Sequence, residues 1–196
     1  SGSRPELSAL KAGALLGLGQ VDSALALLDR FPADAHAGLG AVRAVAQVAR
    51  QDTSAADTAR RAVALNPHSD AAQLALSYTL QAARQLPAAL DAARQATLLA
   101  PDNPLAWARR AELELALGDA TSGGESARRA GALAPDTPRV LALAAFARLM
   151  RGEIDAAAGD FEAALARSDA DPLAHFGLGL ALMRQGNTAD GRREVE

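Results

Sequence analysis

The sequence predicts an all-α protein built as a stack of helix-turn-helix units. Three observations carry that expectation. The stretch over residues 104–137, PLAWARRAELELALGDATSGGESARRAGALAPDT, is one copy of a unit whose starts fall at Asp70, Pro104, Pro138 and Pro172, a constant step of 34 residues. A period of about 20–50 residues marks a repeat architecture. Small residues also recur in fixed columns. The twentieth position holds Ala24, Ala55, Ala89, Gly123, Ala157 and Gly191, and seven positions later stand Ala62, Ala96, Ala130 and Ala164. Such columns let helix axes approach closely. Finally, the chain is 49% hydrophobic but only 3% aromatic, a composition in which alanine and leucine must fill the contacts.

The units follow in order over about 5–35, 36–69, 70–103, 104–137, 138–171 and a partial 172–196. In the first, Pro5 suits the first helical position, Glu6–Leu16 and Ser23–Phe31 are the expected helices, and Gly19-Gln20 is their turn. It has lost about one helical turn from its second helix. The second unit starts near His36, with helices expected over Ala37–Arg50 and Ala55–Leu65, and with Arg50-Gln51 where other units turn on glycine. The third has helices near Ala71–Arg84 and Pro87–Leu99; Pro87 stands where a helix start tolerates a missing N–H. In the fourth, Gly118-Asp119 is the turn. The Gly123-Gly124 pair there costs about 1 kcal/mol per glycine relative to alanine, which Ser122 and Glu125, at capping-box spacing, partly offset. Its second helix, Thr121–Ala134, is therefore expected to be the least protected internal helix. The fifth has helices near Arg139–Arg151 and Ile154–Arg167 around Gly152-Glu153. The sixth turns at Gly186-Asn187 and stops at Glu196, partway through its second helix.

The bulk properties exclude several functions. A net charge of −3 and a pI near 5.6 argue against a phosphate-binding surface as the main activity. The absence of cysteine excludes disulfides and thiolate metal sites. No apolar run approaches a membrane span and no signal peptide is visible. Ser1-Gly2-Ser3 resembles a tag remnant, so residues 1–4 are set aside. Lys11 is the only lysine among the basic residues, a bias that suggests a bacterial source.

These columns resemble the tetratricopeptide repeat (TPR). Trp107 stands at position 4, Ala111 and Gly179 at position 8, Gly118 before Asp119 at the turn, alanines at positions 20 and 27, and Pro67, Pro101 and Pro135 at position 32. The likeness covers essentially Pro5 to Glu196. Departures are Arg43 at the usually small position 8, Arg50 and Arg84 at the turn glycine, and Leu15, Ala46, Leu80, Glu114, Arg148 and Leu182 at the usually aromatic position 11. The resemblance implies a right-handed superhelix of five full or near-full repeats plus a truncated sixth. In it, the first helix of each pair lines a concave groove that holds peptides, helices or other proteins.

The groove positions implied by the family are 2, 5, 9, 12 and 13 of each unit. Position 9 reads Gly13, Ala44, Tyr78, Glu112, Phe146 and Leu180; position 12 reads Leu16, Gln47, Gln81, Leu115, Leu149 and Met183. Position 2 supplies Leu105, Arg139 and Leu173, and position 5 supplies Leu74, Ala108, Ala142 and Phe176. An open groove would be an apolar trough from Tyr78 to Met183, suited to an amphipathic helix or apolar peptide. Alternatively, these side chains pack on one another, or a flanking helix covers them. Among the residues named here Arg139 alone is basic, which disfavours the subclass that clamps carboxylate tails. On the second helices Arg60, Arg94 and Arg128 form a stripe, but Asp57, Asp91 and Glu125 stand three residues earlier, so a self-paired solvated face is expected rather than a nucleic-acid site. His36, His68 and His175 are scattered and read as surface or packing residues. No HExxH spacing, P-loop or catalytic triad is present.

The function expected is a non-catalytic protein-interaction scaffold without cofactors, holding a protein or peptide partner in the apolar groove. A second reading makes it the targeting or assembly region of a larger multidomain enzyme or of a bacterial envelope or secretion protein, in the cytoplasm or the periplasm. Neither nucleic-acid binding nor direct membrane insertion is expected. The cut sixth unit leaves an apolar face near Ala189 and Val195, which invites end-to-end self-association.

Overall fold

The computed structural model describes residues 5–32 and 35–195; the tag remnant expected over residues 1–4, and Glu196, lie outside the described residues. Those residues form helices and short loops, with no strand among them. The helices pair as α1 (Pro5–Gly17) with α2 (Val21–Leu28), α3 (Ala37–Ala49) with α4 (Ala55–Leu65), and α5 (Asp70–Ala82) with α6 (Leu86–Leu99). Then come α7 (Pro104–Ala116) with α8 (Ala120–Leu133), α9 (Pro138–Met150) with α10 (Ile154–Leu165), and α11 (Pro172–Arg184) with α12 (Thr188–Val195). The all-α helical-repeat class expected from the sequence is the class observed.

The chain divides into two compact units, Ser1–Ala100 and Pro101–Glu196. In the first, α3 packs on both α1 and α2, and α5 on both α3 and α4. Its core is mostly alanine: Ala12, Ala24 and Leu28 meet Leu39 in one cluster, and Ala44, Ala59 and Ala75 form another. In the second unit, α9 packs on α7 and α8, and α11 on α9 and α10. There Phe161 fills the largest cluster, among Ala142, Ala145, Leu149, Ala174 and Leu178. The small-residue columns lie in these contacts. All six residues at the twentieth position are buried, as are Ala62, Ala96, Ala130 and Ala164.

Every pair turns through one backbone pattern. The turn residue has positive φ: Gly19 (73°), Gln51 (58°), Arg84 (60°), Gly118 (88°), Gly152 (83°) and Gly186 (92°). Its N–H donates three residues back and the next N–H five residues back, as in Gly118 N to Leu115 O and Asp119 N to Glu114 O, both 2.9 Å. These bonds satisfy the carbonyls that a helix end leaves open.

This pattern corrects the register of the second unit. The turn residue is Gln51; Arg50, at φ −91°, is the end of α3. The helix caps His36, Ser69, Asn103, Thr137 and Asp171 each precede their turn residue by the same interval. The second unit is instead one residue short between Gln51 and Ala55. Ala44 therefore takes the small eighth position, fully buried like Ala12, Ser77, Ala111 and Ala145. Arg43 stands one place earlier and clamps the end of α2, its Nη2 donating to Leu28 O at 2.6 Å. That end falls at Leu28 rather than Phe31.

The fourth unit differs from expectation at its cap. Asp119, not Ser122, caps α8, its Oδ1 accepting from Ser122 N at 2.9 Å. Glu125 faces Arg128 and Arg129 instead.

Candidate peptide-binding faces

In the first unit, α1, α3 and α5 present one side lined by small and branched residues. Leu74 and Tyr78 border an open hollow of about 270 Å³ together with Gly13, Leu16, Val42 and Val45. The hollow is open beside Gly13, where nothing lies within 4 Å of the place a Cβ would take. Gln81, one turn on from Tyr78, is half-buried. Among the described residues no charged side chain lines the hollow. The register correction replaces two expected groove residues here: the ninth and twelfth positions of the second unit are Val45 and Val48, not Ala44 and Gln47. Counting from each helix cap to each turn residue would have found them.

In the second unit, α7, α9 and α11 carry the remaining candidates, and the structure sorts them by burial. Phe146 is half-buried between two rings. It meets Phe161 edge-on at 4.9 Å and stacks on Phe176 at 6.3 Å. Phe176 keeps 46% of its surface exposed, and Leu173 and Leu180 pack partly buried against the same cluster. Met183 lies beside Gly191 of α12, where a Cβ would come within 2.7 Å of Met183 Cγ. Leu105 is 67% exposed. Two candidates face inward. Leu149, only 2% exposed, belongs to the core around Phe161 and offers no surface to a ligand. Leu115 is half-buried and packs against Gly123.

The charged members of this face are tied to each other. Glu112 accepts from Arg139 of α9 at 2.7 Å and from Arg109 at 3.1 Å. Arg109 is almost wholly buried, as is Glu114. Glu114 takes Arg110 Nε at 2.8 Å and the Ser126 hydroxyl at 2.6 Å, which explains a carboxylate where the repeat usually has an aromatic. The guanidinium groups of Arg110 and Arg129 lie over the Trp107 ring, 5.3 and 5.4 Å from its centroid, a cation–π arrangement.

On the second helices the arginine stripe is self-paired: Arg60 with Asp57 at 2.8 Å, Arg94 with Asp91 at 3.4 Å, Arg128 with Glu125 at 2.6 Å. The Arg128 hydrogen bond holds the Glu125 carboxyl below its ordinary range. His36 caps α3 by accepting from Gly38 N. His175 bridges, with Nε2 2.7 Å from Asp169 O and Nδ1 2.7 Å from Glu194 Oε2, and these acceptors raise its pKa. Among the described residues no helix is long and apolar enough to cross a membrane, and no cluster of three His, Asp or Glu is placed to hold a metal ion.

No protein-family profile and no curated protein sequence matches this chain. Solved structures do. The chain is similar to TTC0263, a thermophilic TPR protein of Thermus thermophilus, with a TM-score of 0.75 and 23% identity over 91% of this chain and 98% of that one. The fold is the tetratricopeptide-repeat fold. A similar likeness extends to the APC/C hetero-tetramer Cut9–Hcn1, with a TM-score of 0.84 and 15% identity over 97% of this chain, which spans 38% of that chain's length. The human IFIT1 dimer with m7Gppp-AAAA is also similar, with a TM-score of 0.80 and 16% identity over 98% of this chain and 49% of that one. The TPR fold thus accounts for the columns and the turn residues together.

Proposed function

We propose that this TPR protein is a non-catalytic scaffold that holds an apolar peptide or helix of a partner protein against the first helices of its pairs. The observation that carries this reading is the Phe146–Phe176 stack. A phenylalanine held in place by a second ring, yet exposed on one side beside Leu173 and Leu180, is an anchor site for an apolar side chain. The uncharged hollow beside Leu74 and Tyr78 supports the same preference. A protein partner is favoured over a nucleic acid because the outer arginines already engage carboxylates, and Arg139 is engaged by Glu112.

The test is affinity capture from the native host with partners identified by mass spectrometry. Phe146→Glu, Phe176→Glu and Leu180→Glu should each lose the captured proteins while circular dichroism stays helical. Full capture by the folded Phe176→Glu and Leu180→Glu variants would overturn this reading.

A second reading treats the array as the targeting or assembly region of a larger enzyme, envelope or secretion protein. It is favoured by the chain spanning only 38% and 49% of two of its structural neighbours. The complete open reading frame tests it: a catalytic or membrane-embedded domain supports it, and none overturns it.

A further inference from the structure

The chain holds three histidines, and two of them stand in opposite hydrogen-bonding settings, one in each compact unit. His36 is the N-cap of α3, and its Nδ1 accepts from Gly38 N at 3.1 Å. A ring nitrogen that accepts carries no proton, so this cap exists only in the neutral imidazole with its hydrogen on Nε2. Gly38 leaves room for the ring: a Cβ there would stand 3.1 Å from His36 Nδ1 and 3.7 Å from Ala9 Cβ of α1. The ring thus borders the contact of α3 with α1. Protonation turns Nδ1 into a donor facing the Gly38 N–H, and it puts a positive charge at the positive end of the helix dipole. Both effects undo the cap.

The charges around His36 do not reverse this. Glu6 of α1 lies 3.8 Å from Nε2, but both side chains are exposed, and such a pair contributes little. On the other helices packed against α3, Asp29 pairs with Arg43 and Asp57 with Arg60, Arg61 bonds the Thr58 hydroxyl, and Asp70 at the start of α5 is engaged as well. His175 is the reverse case. Its Nε2 meets the Asp169 carbonyl and its Nδ1 the Glu194 carboxylate, each at 2.7 Å. Both partners accept, so both nitrogens must donate, and only the imidazolium does that. Around it, Asp171 is held as the cap of α11, Arg193 pairs with Asp190, and Arg167 beyond α10 pairs with Asp136. The third histidine, His68, is exposed.

We propose that His36 and His175 form an acid switch of opposite sign in the two compact units: mild acidification uncaps α3 and loosens the first unit, while it fastens α11 to α12 in the second. At His36 protonation breaks a bond that the folded chain makes, so acid costs the first unit stability. At His175 protonation completes two bonds that the folded chain makes, so acid adds stability to the second. The two effects oppose each other in the whole chain and add in the contrast between the units.

The test is hydrogen exchange of the full chain, read peptide by peptide by mass spectrometry at about pH 5.5 and about pH 7.5 and corrected for intrinsic rates. Opening around the start of α3 should be roughly fivefold more frequent in acid, and opening of α12 should be less frequent. His36→Asn supplies a good cap that takes up no proton. It should hold α3 closed at both values and leave the α12 response intact. Glu6→Gln should keep or enlarge the α3 response. Acid that leaves α3 opening unchanged, or that moves both units in the same direction, would overturn the proposal. So would a His36→Asn variant that loosens in acid as the wild type does, or a Glu6→Gln variant that abolishes the response.

Discussion

Gly123 of α8 lies so close to Leu115 of α7 that a Cβ on it would stand 2.6 Å from Leu115 Cγ and 3.2 Å from Leu115 N. The helix cost of this glycine is therefore the condition for α7 and α8 to meet. Gly123→Ala should destabilise the protein by about 1–3 kcal/mol through overpacking, although alanine is the better helix former. Gly131 on the same helix is the contrast. Its Cβ would meet only Val140 Cγ1, at an ordinary 3.6 Å, so Gly131→Ala should stabilise by about 0.5–1 kcal/mol. Thermal and denaturant unfolding of the two variants checks the sign of each.

Ala89 is fully buried in the contact between α5 and α6. Ala89→Leu should overpack it and cost about 1–3 kcal/mol. An unchanged melting temperature would show that the small column does not set the helix spacing.

Arg84 adopts φ 60° at a turn where four other pairs have glycine. A side chain there carries backbone strain of about 1–2 kcal/mol. Arg84→Gly removes the strain but adds chain entropy to the unfolded state, for a net gain of roughly 0.5–1 kcal/mol. Differential scanning calorimetry should show a higher melting temperature.

The Ser126 hydroxyl donates to a Glu114 carboxylate that is almost entirely out of water. Ser126→Ala leaves that oxygen without this donor and should cost about 1–3 kcal/mol. Adding Glu114→Leu removes the acceptor as well and should recover much of the loss, which a double-mutant cycle would register as strong coupling.

His175 ties α11 to Asp169 and to Glu194 of α12, and its pKa is raised, first by the Asp169 carbonyl and then by Glu194. Asp169 also acts through its charge, and Arg193, paired with Asp190, lines the same hollow. A raised folded-state pKa means the stabilisation is complete below the unfolded value near 6.5 and is lost as pH rises through the folded one. Amide exchange of α12 should therefore quicken, beyond the intrinsic pH effect, across that window. His175→Gln should flatten the response, and imidazole chemical shifts should give the elevated pKa directly.

Most of the architecture was legible in the sequence because a strict step from Asp70 onward and small-residue columns both follow from helix pairs in repeated contact. The second unit was misread by one place because Arg50 and Gln51 are both non-glycine, so composition gave no sign of which adopts positive φ. Hydrogen bonding of the backbone decides it. Among the candidate residues, the exposure of Phe176 could be read from its place in the unit. The burial of Leu149 could not, since it depends on Phe161 reaching across from α10. The role of Glu114 was hidden for a similar reason: its partner Ser126 is on the next helix, and no pattern along one helix reveals that pairing.

The missing residue between Gln51 and Ala55 has a practical outcome for anyone recombining these modules. In a helix one place is about 100° of rotation. Cutting the chain into equal slices and swapping the second slice for another would swing every side chain of α3 away from its mate, turning Arg43 into the site meant for Ala44. Cuts made at the helix caps, with length differences left to the bend, would keep each module's inward groups inward.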